Sequence, residues 1–423
     1  MVAVDVMPVR LHLQGIKVLE VLEDRPERLV VAVAGVGSVQ RCTACGFKTA
    51  QVHQRTKVKV RDLPVSGRPT TLVWHRRRFR CGSCGSTFTE THPQLVGKLT
   101  LRFRHALFIE VVASTVNSIR KRHGLSWALV MALVTERVTW LARHRARRPV
   151  KVLCIDEKRL VKGHGAFSTI VSDGETGTVI TVIEGRCKAS LESWLKAQPR
   201  GWRAGVKVVV TDMATCWRQP IAELLPRAAH VVDRFHVVRA AMAVLTETRR
   251  TAQRTDRGQP HARAVFDARF TLATRCDRLT GDQMTELVAL FEQHPHLAAA
   301  WELTQRFHRV FQADGLDAAL DAVAELADAM GRTRTGFAPG VHALTRWADQ
   351  WQNYHRHGRW TTNVAEGLNT KIEVLERKAY GFRDHTNHAI RILAECPGHR
   401  HRNRPSTTLT NRPAQSDLHA VSR

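Results

Sequence analysis

The chain has 423 residues, with 65 Lys/Arg against 38 Asp/Glu and a formal net charge of +27 at pH 7. That length leaves room for two to four domains, each burying its own core. No uncharged apolar run is long enough to span a bilayer, and the N-terminus lacks the basic-then-apolar plan of a signal peptide, so a cytoplasmic protein with no membrane partner is expected. A surface so basic attracts polyanions, and nucleic acid is the expected one. The excess is uneven: residues 41–150 hold 22 Lys/Arg against 4 Asp/Glu, which places the expected docking surface in the N-terminal third.

Residues 1–40 alternate apolar and polar, as in Val9-Arg10-Leu11-His12-Leu13 and Leu29-Val30-Val31-Ala32-Val33, and read as a short hairpin. Two C-x-x-C-G knuckles follow, Cys42-Thr43-Ala44-Cys45-Gly46 and Cys81-Gly82-Ser83-Cys84-Gly85. The spacing lets both thiolates of a knuckle reach one ion, and the glycine permits the tight turn. Four sulfurs make a closed tetrahedral Zn2+ site with no open position and hence no catalysis; a redox pair is the alternative reading. Such a site would hold together a basic module that includes Arg76, Arg77, Arg78 and Arg80, candidate DNA contacts. The five other cysteines are scattered and read as core or surface residues.

From Leu101 to His144 the pattern becomes helical. Leu107, Val111, Val112, Val116 and Ile119 line one face; after Lys121-Arg122-His123-Gly124, Ser126 can cap a second helix with Trp127, Val130, Leu133, Val134, Val138 and Leu141 inward. This is compatible with a helix-turn-helix, with Lys121 and Arg122 as DNA contacts, and equally with a helical hairpin that only packs. Arg143–Arg148 reads as an exposed basic linker.

Three apolar strands then end on carboxylates. Val150–Ile155 stops at Asp156-Glu157, Val206–Thr211 at Asp212, and Ala228–Val232 at Asp233. If the strands of Asp156 and Asp212 are parallel neighbours, their carboxyl ends lie about 5 Å apart. Two carboxylates there repel unless protonated or bridged, and hard oxygen ligands suit Mg2+ or Mn2+. Asp212 and Asp233 can also be plain helix caps. Phe167–Val171 and Thr178–Ile183 form a hairpin around Asp173-Gly174-Glu175-Thr176-Gly177, and helices near 189–198 and 221–225 lead to the later strands. The result is a mixed sheet of three antiparallel strands, then two joined through helices, an order that matches the ribonuclease-H-like fold. Residues 240–355 read as a helical insertion whose tryptophans Trp347 and Trp351 are core. In Thr361–Ile372, Val364, Leu368, Ile372, Leu375 and Ala379 share one helical face, while Glu366, Asn369 and Glu373 share another. Glu366 alone would pass for a solvated residue. The polar tail after Cys396 reads as disordered.

The knuckles, Ile155-Asp156-Glu157, Val210-Thr211-Asp212, the block Asp233-Arg234-Phe235-His236-Val237-Val238, Ala365-Glu366-Gly367-Leu368-Asn369 and Arg377-Lys378-Ala379-Tyr380-Gly381-Phe382 together resemble the DDE transposases of the ISL-three family of bacterial insertion sequences, over nearly the whole chain to about residue 398. The resemblance implies that Asp156, Asp212 and Glu366 form a catalytic triad binding Mg2+ (or Mn2+), with Asp233 and His236 as accessory residues. It implies binding to terminal inverted repeats and target DNA, cleavage and strand transfer, and a homo-oligomer on DNA. Acids at Glu373 and Glu376 depart locally from the pattern, where many relatives carry lysines. The expected organisation is a zinc-binding module (1–98), a helix-turn-helix-like segment (99–148), the first part of an α/β, ribonuclease-H-like catalytic domain (149–240), a helical insertion (241–358), the catalytic helix (359–396) and a basic tail (397–423). A regulator that binds DNA without cutting it, and a nuclease that cuts without joining, are the competing functions.

Overall fold

Alternation of buried and exposed side chains along two long strands governs the N-terminal part. The computed structural model describes residues 11–146, 148–159, 167–259, 261–332, 338–382 and 384–396, and the chain divides into two units, Met1–Trp140 and Leu141–Arg423. The expected disordered tail lies outside the described residues.

In the first unit β1 (Ile16–Arg25) and β2 (Arg28–Gly35) form an antiparallel hairpin. A short ribbon, β3 (Gln40–Arg41) with β4 (Lys48–Thr49), carries the first knuckle. The strands β5 (Val52–Val65) and β6 (Arg68–Arg80) pair antiparallel along almost their full length, with β7 (Thr87–Thr89), β8 (Leu95–Val96) and β9 (Leu99–Thr100) completing the sheet in the order β1-β2-β6-β5-β9-β8 and β7 beside β6. The first strand of the expected hairpin is displaced: Leu11 and Leu13 lie in the core with Leu29, Val31, Val33, Leu72 and Trp74 without forming a strand.

Three helices follow, where the periodicity predicts two. The run through Leu107 and Ile119 breaks at Ser114, because the Thr115 hydroxyl accepts from Ser118 N at 3.1 Å and starts a new helix. These are α1 (Leu101–Ala113), α2 (Val116–His123) and α3 (Trp127–Ala146). Gly124 ends α2 at φ +57°, a conformation glycine adopts without strain, and Ser126 caps α3 through Leu129 N. Arg61 on β5 holds this turn by donating to His123 O (2.7 Å) and Gly124 O (3.2 Å). Trp127, expected inward, is exposed, because it sits in the first turn of α3 ahead of the packed face Val130, Val134 and Val138.

The second unit is built on β10 (Val152–Arg159), β11 (Phe167–Asp173), β12 (Val179–Glu184), β13 (Val208–Thr211) and β14 (Ala229–Val232), in the order β12-β11-β10-β13-β14. Strands β12, β11 and β10 are antiparallel, and β10, β13 and β14 parallel. Helices α4 (Lys188–Ala197), α5 (Arg200–Gly205) and α6 (Arg218–Leu224) supply the crossovers. Strand period two sorts the core by face. Leu153, Ile155, Val171 and Val209 join Leu191, Leu195 and Trp217 of the crossover side. Val152, Cys154, Val208 and Val210 join the insertion. Arg145 corrects the expected linker: it is buried in the last turn of α3 and donates to Val179 O (3.2 Å) and Leu393 O (2.9 Å).

The insertion runs from α7 (Arg234–Thr255) through α8 (His261–Asp267), α9 (Arg269–Ala273), α10 (Gly281–Gln293), α11 (Pro295–Gln312), α12 (Leu316–Arg332), α13 (Ala338–Arg346) and α14 (Ala348–Arg356). Trp347 and Trp351 are buried in its core, as expected. The chain returns to the sheet with α15 (Asn363–Lys378) and α16 (His385–Glu395), whose Leu368, Ile372, Leu375 and Ile392 pack with Ile170 and Val179. Because Leu153 is fully buried at the centre of the sheet, Leu153→Ala is expected to cost about 2–5 kcal/mol, read as a lower urea midpoint for the second unit.

Candidate functional site

Two clusters of chemically capable side chains emerge, one in each unit. In the first, the knuckles have matching backbone hydrogen bonds: Cys42 N to Phe47 O (2.8 Å) and Gly46 N to Cys42 O (2.9 Å), then Cys81 N to Ser86 O (2.8 Å) and Gly85 N to Cys81 O (3.0 Å). Gly46 and Gly85 adopt φ of +74° and +72°, where a side chain would be strained. The turns bring the four Sγ atoms within 4.8 Å of one another, with Cys42 to Cys84 at 3.7 Å and Cys45 to Cys81 at 3.5 Å. Four sulfurs around an ion at 2.3 Å lie about 3.8 Å apart, so the quartet fits tetrahedral zinc. The Ser86 hydroxyl, then backbone N–H groups, pull the Cys42 thiol down to about 6, while Cys45, against the pull of the Phe47 backbone, is raised by the neighbouring sulfurs, so without a cation the four do not all favour the thiolate.

Of the basic residues singled out in the sequence, Arg78 and Arg80 are exposed on β6 and Lys121 and Arg122 on α2. Arg122 reaches Glu110 at 3.1 Å. Arg76 is partly covered, with its guanidinium 5.2 Å from the Trp74 ring centre. Arg77 is a correction: strand alternation turns it inward, where it is buried and its Nε donates to Glu90 at 3.0 Å, so it is not available to a polyanion.

In the second unit the register aligns the acids. Ile155 pairs with Thr211 and Thr211 with Val232, so Asp156, Asp212 and Asp233 each come next on three adjacent strands, about 4.8 Å between neighbours and on the same face. The first strand does not stop at its acid, since β10 continues to Arg159 paired with β11. The three acids differ in surroundings. Asp233 is fully buried; it caps α7 through Phe235 N (3.1 Å) and accepts from the backbone N–H (3.3 Å) and hydroxyl of Thr362. It therefore ties the start of the insertion to the residue before α15. Asp156 accepts from Glu157 N (2.9 Å) and Asn369 Nδ2 (2.7 Å), and burial, helped by the Asp212 charge, raises its pKa against the Asn369 bond. Burial also raises Asp212, whose carboxylate accepts from Ala214 N at 2.9 Å. Among the described residues neither Asp156 nor Asp212 forms a salt bridge.

Glu366 lies in the first turn of α15, exposed, one turn before Asn369. Lys158 fixes this helix to β10 by donating to Asn369 O and Glu373, each at 3.2 Å. His236, in the first turn of α7, is shifted down by burial and then by Arg239, against the pull of Asp233, Asp156 and Glu366. Among the described residues only the cysteine quartet brings three or more metal-ligating atoms within 4.8 Å, so Asp156, Asp212 and Glu366 share a neighbourhood without closing on a common point. Beside Asp212 a cavity of about 530 Å³ is lined by Glu157, Arg186, Thr215, His236 and Arg239.

A family model described as transposase, of the DDE ISL3 type, matches residues 153–392, spanning all three strand-end acids and Glu366. The chain belongs to this transposase family. A second model, described as the zinc-finger of transposase IS204/IS1001/IS1096/IS1165, matches residues 38–84 and so contains the four cysteines. The transposase for insertion sequence element IS1001 of Bordetella parapertussis is 27% identical over 91% of this chain and 95% of its own. The transposase for insertion sequence element IS1557 of Mycobacterium tuberculosis is 26% identical over 86% and 87%.

Sequence reading grouped Asn369 with Glu366 on one helical face but missed its bond to Asp156. It also missed Lys158, Arg186, Arg239 and Thr362, whose roles arise from contacts distant in sequence. Of the departures, Glu373 pairs with Lys158 at 3.2 Å, whereas Glu376 is buried 3.2 Å from His388, whose pKa burial pushes down to about 4, so that contact is not an ion pair at neutral pH.

Two outcomes follow from the two clusters. Cys45→Ser is expected to abolish the one equivalent of zinc released to a chromogenic chelator by the denatured wild type. For Asp156 the raised pKa means its charge is disfavoured in the folded state; the penalty is full above the folded value and vanishes as pH falls below the unfolded one. Without added divalent cation, Asp156→Asn is therefore expected to raise the thermal midpoint at neutral pH, with the difference shrinking as pH falls toward about 4.

Proposed function

We propose that the chain binds the terminal inverted repeats of an insertion sequence and catalyses divalent-metal-dependent cleavage and strand transfer of DNA, with Asp156, Asp212 and Glu366 as its metal-binding acids. The observation that carries this reading is the register that sets Asp156 and Asp212 side by side, half-buried, with pKa values raised by desolvation and no salt bridge to either, under the helix that carries Glu366. The strand order supports a ribonuclease-H-like core, with the insertion between its last strand and α15. The donor set is all hard oxygen, which fits Mg2+ or Mn2+.

When bound there, such cations supply Lewis-acid stabilisation of the charge that develops on a phosphodiester. Asp156, held in orientation by Asn369, would hold such cations together with Asp212 and with Glu366, whose exposed side chain on the anchored α15 would turn toward them. Arg186 and Arg239 line the cavity beside Asp212 and offer guanidiniums to DNA phosphates. His236, neutral at physiological pH through burial, can accept a proton from the attacking hydroxyl. No side chain is needed as nucleophile: water attacks first, and the freed 3′-hydroxyl then attacks target DNA.

The quartet of cysteines would hold Zn2+ and stiffen the module presenting Arg78 and Arg80, and α2 and α3 with Lys121 and Arg122 would act as the helix-turn-helix-like part of the DNA interface. The domain limits expected from the sequence go with this assignment, as do a cytoplasmic location and a homo-oligomer assembled on DNA. The test is a cleavage assay on labelled terminal repeats. Wild type gives joined product; Asp156→Asn or Glu366→Gln loses cleavage and joining by at least about a thousandfold while repeat binding stays within about twofold. Hydrolysis without joining points to a nuclease, and binding without any product to a regulator. Cutting by either variant removes the triad.

A further inference from the structure

The insertion carries a cluster of rings and guanidiniums that neither site employs. Phe270 on α9 is 70% exposed and Phe266 on α8 is 36% exposed. Arg269 lies against both, its guanidinium carbon 4.2 Å from the Phe266 ring centre and 4.4 Å from that of Phe270, and it donates to Phe266 O at 3.2 Å. Helix α7 contributes Arg249 and Arg250; burial, then the charges of Arg250 and Arg269, pull the Arg249 pKa down, which reflects guanidiniums crowded at one place. The local acids, Asp267 and Glu247, offset only part of this charge, because each is shared between two arginines. Asp267 takes up Arg263 at 2.8 Å and stands 3.8 Å from Arg269, while Glu247 takes up Arg254 at 2.7 Å and stands 3.8 Å from Arg250.

An apolar ring in water beside cations that outnumber their acids matches one chemistry well. Every nucleobase has a π face that covers a phenyl ring, and the phosphates beside it pair with guanidiniums. A base inside a duplex has both faces already stacked, so the matching ligand is an unpaired base. An apolar protein groove would leave the guanidiniums without counter-charge.

We propose that Phe270, backed by Arg269 and with Arg249 and Arg250 on the adjoining helix α7, is a stacking platform for an unpaired nucleobase in the DNA that the chain processes. The platform rests on the DNA-processing reading above and adds a substrate class to it, a locally single-stranded segment held by the insertion. It requires no contact with the acidic site.

The test uses the full chain with zinc bound and a fluorescein-labelled oligonucleotide of mixed sequence carrying 2-aminopurine, presented single-stranded or annealed. Wild type should quench 2-aminopurine in the single strand and leave it unquenched in the duplex. Phe270→Ala should lose the quench and weaken single-strand binding roughly tenfold, with duplex affinity unchanged; Phe270→Trp should keep both. Because the ring is exposed, the alanine variant should melt with wild type. Asp156→Asn should quench as wild type, which separates this platform from the catalytic assignment. The proposal is overturned if Phe270→Ala quenches and binds like wild type, if it loses duplex affinity equally, or if wild type binds duplex but does not quench. Failure of wild type to bind any DNA overturns the DNA-processing reading along with it.

Discussion

Charge crowding at the end of a parallel sheet is the constraint on which the second unit turns. A shared register across β10, β13 and β14 delivers three aspartates to one level and one face. Like charges about one strand spacing apart oppose folding unless each is neutralised or given donors. The fold does this fully for one of them. Asp233 sinks into the interior, where a helix N-terminus and Thr362 satisfy it. Asp156 receives one backbone and one amide donor and Asp212 one backbone donor, neither forms a salt bridge among the described residues, and the cores on both sheet faces offset that local cost.

The same buried carboxylate settles how a long insertion can sit inside a small α/β core. Residues 233 and 362 are separated by 129 positions, yet the Asp233 to Thr362 contact closes the excursion at its base. Closure entropy grows only slowly with loop length, so one clamp of this kind lets helices accumulate between the last strand and α15 without moving either. Lys158 and Asn369 then fix α15 to β10 from the other side. Glu366 thus rides on a helix anchored at two points while its own side chain is exposed to solvent, which under the proposed function would let it complete the metal site only when metal and DNA arrive.

What the sequence discloses here is what depends on local pattern. Runs of β-branched residues leading to Asp, the C-x-x-C-G pair, the hairpin at Asp173-Gly174 and the amphipathic α15 are all periodic or turn signals, and each reappears in the fold, although the first strand continues past Asp156 to Arg159. The break at Thr115 was hidden because the apolar spacing continues across it while a single hydroxyl cap decides the geometry. Arg77 and Arg145 were misjudged for a related reason: a run of arginines reads as a solvated stretch, yet strand alternation and the last turn of α3 each turn one guanidinium inward to an acid or to carbonyls. The bond from Asn369 to Asp156 spans 213 residues, and no window of sequence contains it. Glu366 gained its meaning through resemblance to a family, since exposure and periodicity alone fit a solvated glutamate.

The central claim is that Asp156, Asp212 and Glu366 close around divalent cations at this sheet edge. Anomalous diffraction at the manganese edge, from crystals of the chain with Mn2+ and a terminal-repeat duplex, tests it most directly. The account predicts manganese density between Asp156 and Asp212 with the Glu366 carboxylate drawn into coordination distance. Manganese bound elsewhere, or a Glu366 still turned to solvent beside an occupied site, would contradict it.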